Sequence, residues 1–422
     1  MRISIVTIGT RGDVQPYLAL ARGLLQAGHQ VILNTHGTFQ AFVEAQGIAF
    51  VPLAGDIRAI LQGEAGRRLM AETHPLHALR RLRQLAAPII RQVTADILAA
   101  TEGCDLILGS TLGYLNAVTA AEVHRVPLIL AALQPFTPTS AYPIPLLTAW
   151  PAQRPMAGAF HRLSYHVTYR ALQLLMAGMG NQARRAITGL PPLRYTDVFG
   201  DLIQARRPAI YGFSEHLAPR PHDWAANVAV TGFWFLDQAA DWQPPIELAD
   251  FLAGGPAPIY VGFGSFGDDD PAAMTRAVVG AVRQAGRRGL LLAGWQGLHA
   301  QQRGDDVLVI DNAPHDWLFG QVALVVHHGG AGTAAAALRA GVPQIVVPFS
   351  ADQPFWGDRV HRAGVGGRPL PRRQLRAETL AEAIALTADN AAIQATARQL
   401  GAMLRQENGV ARAVAVIEGI RG

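Results

Sequence analysis

VVHHGGAGTAAAALRAGVPQIVVPFSADQPFWG, residues 325–357, is the stretch whose reading decides the fold. It begins within an apolar run, 322–326, suited to a strand buried on both faces. His327 and His328 end that run. Gly329, Gly330, Ala331, Gly332 and Thr333 follow, small residues that let a backbone approach a ligand closely. Residues 334–340 are alanine-rich and helix-prone, and Gly341 with Val342-Pro343 supplies a stop. A glycine turn that opens a helix after a buried strand presents backbone N–H groups and the positive end of the helix dipole. That arrangement suits an anion, most naturally a diphosphate. A turn built only for tight packing has no use for two adjacent histidines.

The same alternation extends in both directions. Residues 3–8 read as a buried strand, 16–27 as an amphipathic helix closed by Gly28-His29, and 30–34 as the next strand. Later units follow at 105–109, 112–124, 127–133 and 208–213. A second series opens at 259–264 and continues at 289–293, 307–310 and 344–348. Strands alternating with helices across short glycine and proline breaks predict doubly wound parallel sheets. Between 135 and 185 the pattern degrades into TPTSAYPIPLLTAWPAQRPMAGAF, a proline-broken apolar segment of the kind that forms a lid or pocket wall.

Composition narrows the chemistry. With 422 residues, half of them hydrophobic, the chain can fill two cores, predicted at 1–218 and 246–405. Residues 219–245 read as a linker and 406–422 as a terminal helix. All 36 basic residues are arginine, which removes Schiff-base catalysis and a Walker-type phosphate lysine. The lone Cys104 removes an intramolecular disulfide and reads as a small buried apolar residue. A net charge of +5 favours anions in general, but the scattered arginines argue against a nucleic-acid partner. No signal-peptide pattern and no membrane-spanning apolar run is visible, so a cytoplasmic location is expected, with peripheral membrane contact left open.

Several ordered motifs, GTRGDVQPYLALARGLLQAGH near the start and GFGSF, NAPHDWLF, HHGGAGT and ADQPFWG later, together make a specific match. They resemble the nucleotide-sugar glycosyltransferases of family 1, most closely the bacterial antibiotic and sterol glucosyltransferase branch. The resemblance implies an α/β fold of the GT-B type, two facing Rossmann-like domains with parallel sheets and a cleft between them. It implies an N-terminal acceptor-binding domain, a C-terminal donor-binding domain, and a terminal helix packing back on the first. It also implies inverting, metal-free sugar transfer with no cofactor beyond the nucleotide sugar.

Residue by residue, the resemblance makes Asp13 the candidate base, in the loop after the first strand where open α/β sheets bind ligands. An aspartate there also commonly caps the following helix, and the two roles are compatible. Leaving-group stabilisation falls to His327, His328, Gly330, Ala331, Gly332 and Thr333, assisted by Ser265, with His328 matching the phosphate-contacting histidine. Asp352 and Gln353 match the pair that grips hexose hydroxyls. Asn312 stands where plant members stack a tryptophan on uracil, and Ala336 where they place a ribose-binding glutamate. Nucleotide contacts are therefore expected from Asn312, Ala313 and His315, with Trp295 or Trp317 as walls. The expected donor is UDP-glucose, with TDP-deoxysugars as the alternative.

The expected acceptor is a hydrophobic small molecule, since Phe136, Tyr142, Trp150 and Phe160 lie in the acceptor-side segment and Gly12 beside Asp13. Asp268, Asp269 and Asp270 invite a metal reading, but Asp270-Pro271 ahead of a helical run is better read as an N-cap. His74 with His77, and His161 with His166, lack metal-ligand spacing and read as surface or packing residues. Two rivals share the fold: a sugar-nucleotide epimerase that needs no acceptor, and a non-catalytic binding protein. The protein is expected to act as a monomer or homodimer.

Overall fold

The computed structural model describes residues 1–56, 59, 63–70, 75–147, 155–194, 196–204, 206–238, 242–264, 270–293 and 305–420. The chain divides into two compact units. The first comprises residues 1–215, 219–236 and 408–422; the second comprises 216–218 and 237–407. Both are α/β units built on wholly parallel sheets.

The first sheet has seven strands: β1 (Arg2–Val6), β2 (Gln30–His36), β3 (Ala49–Leu53), β4 (Leu106–Gly109), β5 (Leu128–Ala132), β6 (Ala209–Tyr211) and β7 (Val228–Val230). Their order is β3-β2-β1-β4-β5-β6-β7. Around it lie α1 (Arg11–Gln26), α2 (Gln40–Glu44), α3 (Glu64–Met70), α4 (Pro75–Ala86), α5 (Ile90–Ala100), α6 (Tyr114–His124) and α7 (Ala157–Thr188). Because β1 pairs with both β2 and β4, the order reverses at β1, the switch point where open sheets leave a crevice at their carboxyl ends. Val14, Tyr17, Leu18, Ala21 and Leu24 of α1 recur at helical spacing and bury against Ile3, Ile5 and Leu33 of the sheet.

The second sheet has five strands: β8 (Ile259–Gly262), β9 (Gly289–Leu292), β10 (Val307–Ile310), β11 (Leu324–His327) and β12 (Gln344–Val346). They lie in the order β10-β9-β8-β11-β12, reversing between β8 and β11. Its helices are α8 (Ile246–Ala253), α9 (Pro271–Gln284), α10 (Ala331–Ala340), α11 (Gln353–Arg362), α12 (Ala377–Ala388) and α13 (Ala391–Gln406). The last helix, α14 (Gly409–Gly419), belongs to the first unit and packs on α1. A Cβ on Gly23 of α1 would sit 2.2 Å from Val410 Cγ1, so glycine is what allows that close approach.

The stretch read as a linker is part fold. Residues 228–230 form β7 on the edge of the first sheet, and Trp234 and Leu236 join the first core. A three-residue strand set among prolines shows too few alternations for its period to be visible in sequence. Among the described residues, no helix is long and apolar enough to cross a membrane.

Candidate functional site

In the first unit the site is the turn between β1 and α1. Gly9 adopts φ 145, and a Cβ there would lie 2.3 Å from Asp13 Oδ2, so only glycine admits the carboxylate at this place. Thr10 is the N-cap of α1 and Asp13 its third residue. The Thr10 backbone N–H donates to Asp13 Oδ2 at 2.8 Å, and the Thr10 hydroxyl donates to the same oxygen at 3.1 Å. The capping role anticipated for an aspartate here is therefore present. Thr7 fixes the other side of the turn, donating from its hydroxyl to the Asp13 carbonyl.

Burial raises the Asp13 pKa above the ordinary carboxylate value, and the two hydrogen bonds from Thr10 work in the opposite direction. A carboxylate held up in this way is a stronger base than one in water. Both hydrogen bonds fall on Oδ2. Gly12, in the first turn of the helix, is exposed.

In the second unit, three loops meet at the switch between β8 and β11. Register pairs His327 with Gly262, which sets the following residue, His328, beside the turn that leaves β8. A Cβ on Gly264 would come within 3.0 Å of the His328 ring, and one on Gly330 within 2.6 Å of its Nε2. The imidazole thus occupies a slot that two glycines keep open. Burial lowers its pKa to about 4, with His315 adding to the effect and hydrogen bonding with the Gly262 backbone opposing it. At neutral pH the ring is uncharged.

His327 has a different job from the one expected. It is wholly buried, Nδ1 accepts from the Gly329 N–H at 3.1 Å, and Nε2–H donates to Gln344 Oε1 at 3.0 Å. Both ring nitrogens are used to shape the glycine turn, and burial pushes the pKa down to about 3. Gln344, itself buried, ties the arrangement to α10 through the Ala334 carbonyl.

Gly330 is the N-cap of α10 and offers no side chain to the first turn. The first intrahelical bond runs from Ala334 N–H to the Gly330 carbonyl. The N–H groups of Ala331, Gly332 and Thr333 therefore have no partner within the helix. No acidic residue lies in that turn, and Gly332 is exposed. The helix end can take an anion on backbone donors and dipole together.

The third loop is the helical turn His315–Leu318. His315 stacks on Phe319 with ring centroids 4.4 Å apart, and Tyr260 OH lies 3.5 Å from its Nε2. Asn312 is exposed and Ala313 buried. Trp317 packs edge-on against Trp242.

After β12, Ala351 takes φ 56, a left-handed turn that costs a non-glycine residue about 1 kcal/mol. Asp352 is the N-cap of α11, and its Oδ2 accepts from the Trp356 indole N–H at 2.8 Å. Gln353 is buried, and its Oε1 accepts from the Phe349 and Ser350 N–H groups at 2.7 and 3.0 Å. Its carbonyl therefore holds the loop, which leaves the amide NH₂ as the end able to meet a ligand.

The acceptor-side residues divide. Phe136 and Tyr142 are both buried, and Phe136 packs on Tyr169 with centroids 5.2 Å apart. Their loop is pinned by its backbone. Tyr211 OH accepts from the Phe136 and Thr137 N–H groups, and Asp223 accepts from Thr139 and Ser140. Composition showed aromatics here, but not that the loop folds them inward. Phe160, half-buried on α7, keeps partial access. Ser265, Trp295 and Trp150, with Asp268, Asp269 and His74, lie outside the described residues. Asp270 caps α9, its Oδ1 accepting from the Ala273 N–H at 2.9 Å.

Sequence reasoning missed Gly9, Thr10, Tyr260, Gly264, Gln344 and Trp356. Thr10 had a signal, since threonine three residues before an acid opens a capping box. Gly9 and Trp356 act on Asp13 and Asp352 four positions away, whereas Tyr260, Gly264 and Gln344 act across the fold and have no local signature.

Residues 3–143 match the glycosyltransferase family 28 N-terminal domain, and residues 296–411 match the C-terminal domain described as erythromycin biosynthesis protein CIII-like. Two sterol 3-beta-glucosyltransferases of Arabidopsis thaliana, UGT80A2 and UGT80B1, are each 36% identical over 98% of this chain. The chain spans 64% and 67% of their lengths. Among solved structures, the glycosyltransferase of kitacinnamycin superposes with a TM-score of 0.68 at 20% identity, covering 99% of this chain and 98% of that one. The glycosyltransferase VinC, solved in complex with dTDP, gives 0.67 at 18% identity with both chains fully covered. These likenesses show the GT-B fold.

Proposed function

Because this chain belongs to the glycosyltransferase family that includes the sterol 3-beta-glucosyltransferases, we propose that it transfers a hexose from a nucleotide diphosphate to a hydroxyl of a hydrophobic acceptor. Glucose from UDP-glucose is the proposed donor, and a sterol or similarly apolar alcohol the acceptor class. The finer placement we propose is family 1, in the bacterial antibiotic and sterol branch, with the protein acting in the cytoplasm.

One observation carries the chemistry: a helix N-terminus without a side-chain cap, Gly330–Thr333, beside a histidine held neutral. In the proposed reaction Asp13 takes the acceptor hydroxyl proton as that oxygen attacks the anomeric carbon. The bond from that carbon to the diphosphate oxygen breaks on the opposite face, inverting the centre. The diphosphate leaves with the electron pair, and its charge is met by the N–H groups of α10 and the His328 ring. These donors do the work of a divalent cation, so the proposal is metal-free and needs no cofactor. Asp352 and the Gln353 amide bind sugar hydroxyls as acceptor and donor.

The test is mass-spectrometric detection of a hexose adduct on a sterol incubated with UDP-glucose in the presence of EDTA. Asp13→Asn is expected to bind UDP by calorimetry yet give no adduct. Full turnover by that variant removes Asp13 as the base. An adduct only with a TDP-sugar moves the donor to TDP. Conversion of UDP-glucose without acceptor indicates an epimerase, and UDP binding without turnover on any acceptor indicates a binding protein.

A further inference from the structure

The loop between β5 and α7 is held from outside. It carries Pro135, Pro138, Pro143 and Pro145, and each proline removes a backbone donor. Side chains from elsewhere in the first unit take its backbone groups instead. Tyr211 OH on β6 accepts from the Phe136 and Thr137 N–H groups at 3.1 and 2.6 Å, while Tyr169 OH donates to the Phe136 carbonyl. The Trp224 indole N–H donates to the Thr137 carbonyl at 3.2 Å. On α7, His161 Nδ1–H donates to the Ser140 carbonyl at 2.9 Å, and Ser164 Oγ accepts from the Ile144 N–H at 2.9 Å.

Asp223 closes this arrangement. Its Oδ1 accepts from the Thr139 hydroxyl at 2.6 Å. Its Oδ2 accepts from the Ser140 N–H at 2.8 Å, and from the Ser140 hydroxyl and Arg162 at 2.9 Å each. The side chain is only 11% exposed. Burial works against its charge, but the hydrogen bonds from Thr139 and Ser140 and the pair with Arg162 outweigh it and hold the carboxyl well below the usual range. One ionised side chain thus ties the loop, at Thr139 and Ser140, to α7, at Arg162. Gly158 in the first turn of α7 allows the close fit, since a Cβ there would lie 3.2 Å from Ser140 Cβ.

The loop starts beside the candidate base. In the parallel sheet β4 alone separates β5 from β1, so the carboxyl end of β5 opens on the same edge as the Asp13 turn. Tyr17, one turn after Asp13 on α1, donates from its hydroxyl to the Ala131 carbonyl at 2.6 Å. Burial raises the Tyr17 pKa and the nearby Asp13 charge adds to it. Between 134 and 146, apart from the engaged Ser140, the residues left partly or fully exposed are Gln134, Pro138, Ala141 and Leu146. That surface is apolar except for one amide.

We propose, on the acceptor reading given above, that Asp223 is a positioning residue for the acceptor: by fixing the loop after β5 against α7, it holds the apolar surface of that loop in one place relative to Asp13. Asp223 acts through Thr139 and Ser140 and not on the reacting atoms. A loop fixed in advance binds a rigid polycyclic alcohol with little further ordering, because neither partner has much freedom to lose. A flexible chain alcohol must order itself on any surface and gains less. Discrimination in favour of the rigid alcohol should therefore depend on Asp223.

The experiment compares the whole wild-type protein with Asp223→Asn, using UDP-glucose and either cholesterol or 1-dodecanol. The variant keeps the shape of the side chain but loses its charge and one accepting oxygen. Its KM for cholesterol is expected to rise about tenfold or more, with turnover of 1-dodecanol changed by less than about twofold. KM for UDP-glucose and calorimetric binding of UDP should stay unchanged. Thr139→Val removes a single hydrogen bond and should show the same pattern at smaller size, which provides the test if Asp223→Asn does not fold. Amide exchange over residues 133–147 should quicken in both variants while that of α10 stays the same. No adduct from the wild-type protein on either alcohol, with UDP-glucose or a TDP-sugar, would remove the transfer reading and the acceptor role of Asp223 with it. Wild-type transfer with an unchanged cholesterol KM in the variants would overturn the role of Asp223 alone. So would parallel losses for both alcohols and for UDP, the mark of a residue that only supports the fold.

Discussion

The indole N–H of Trp356 donates to the Asp352 carboxylate at 2.8 Å, one turn along α11, and the indole itself is wholly buried. The carboxylate is thus aimed by a side chain locked in the core. Substitution Trp356→Phe keeps most of the packing and removes the donor. It is expected to raise KM for the nucleotide sugar about tenfold, the order of one charge-assisted hydrogen bond. Calorimetric binding of the free nucleoside diphosphate should stay unchanged, because the proposed phosphate site is the N-terminus of α10. Equal loss of both would show that the indole only supports the fold.

The pairing of Thr10 with Asp13 sets a pH dependence. A general base works ionised, so with Asp13 in the proposed role activity should fall as pH drops through its pKa, which burial holds above the ordinary carboxylate value. Both Thr10 hydrogen bonds favour the ionised form. Thr10→Val removes the hydroxyl bond, so the acid limb of kcat/KM should move to higher pH. The same change should cost about 1 kcal/mol of stability through the lost cap. An acid limb that stays in place would separate Asp13 from proton transfer.

His327 and His328 should make the protein sensitive to acid in a defined window. Both folded-state pKa values lie below the unfolded value near 6.5, at about 3 and about 4. Below pH 6.5 the unfolded chain takes up protons that the folded chain refuses. Stability is therefore complete above that pH and is lost as pH falls from about 6.5 toward 4, at up to about 1.4 kcal/mol per pH unit for each ring. Denaturant titrations between pH 4 and 8 would show this, and His327→Gln should flatten the slope.

Glycine at 330 should matter to the donor alone. Gly330→Ala places a Cβ 2.6 Å from His328 Nε2, so the ring must shift from its slot. Nucleoside diphosphate affinity should fall tenfold or more, while α10 stays helical, because alanine suits its backbone there (φ −61, ψ 138). Gly9→Ala differs, since φ 145 and a clash with Asp13 act together, and a loss of about 1–3 kcal/mol in stability is expected alongside lost turnover. Circular dichroism and thermal melts distinguish the two.

What the sequence determined by itself was local. The buried runs, the glycine turn opening α10, the Asp270-Pro271 cap and the aspartate after β1 are each written in consecutive residues, because strand period, turn conformation and helix capping act over a few positions. Tertiary structure decided what long-range neighbours decide. His327 ends β11 and His328 follows it, and only the fold puts Gln344 against one ring and Gly264 and Gly330 around the other. Only the fold turns Phe136 and Tyr142 inward, uses the Gln353 carbonyl to hold its own loop, and adds β7 from a stretch with too little periodicity to show. The hold of Asp223 on the loop after β5 belongs to the same class, because its partners Thr139 and Ser140 lie far off in the chain and no local pattern joins them.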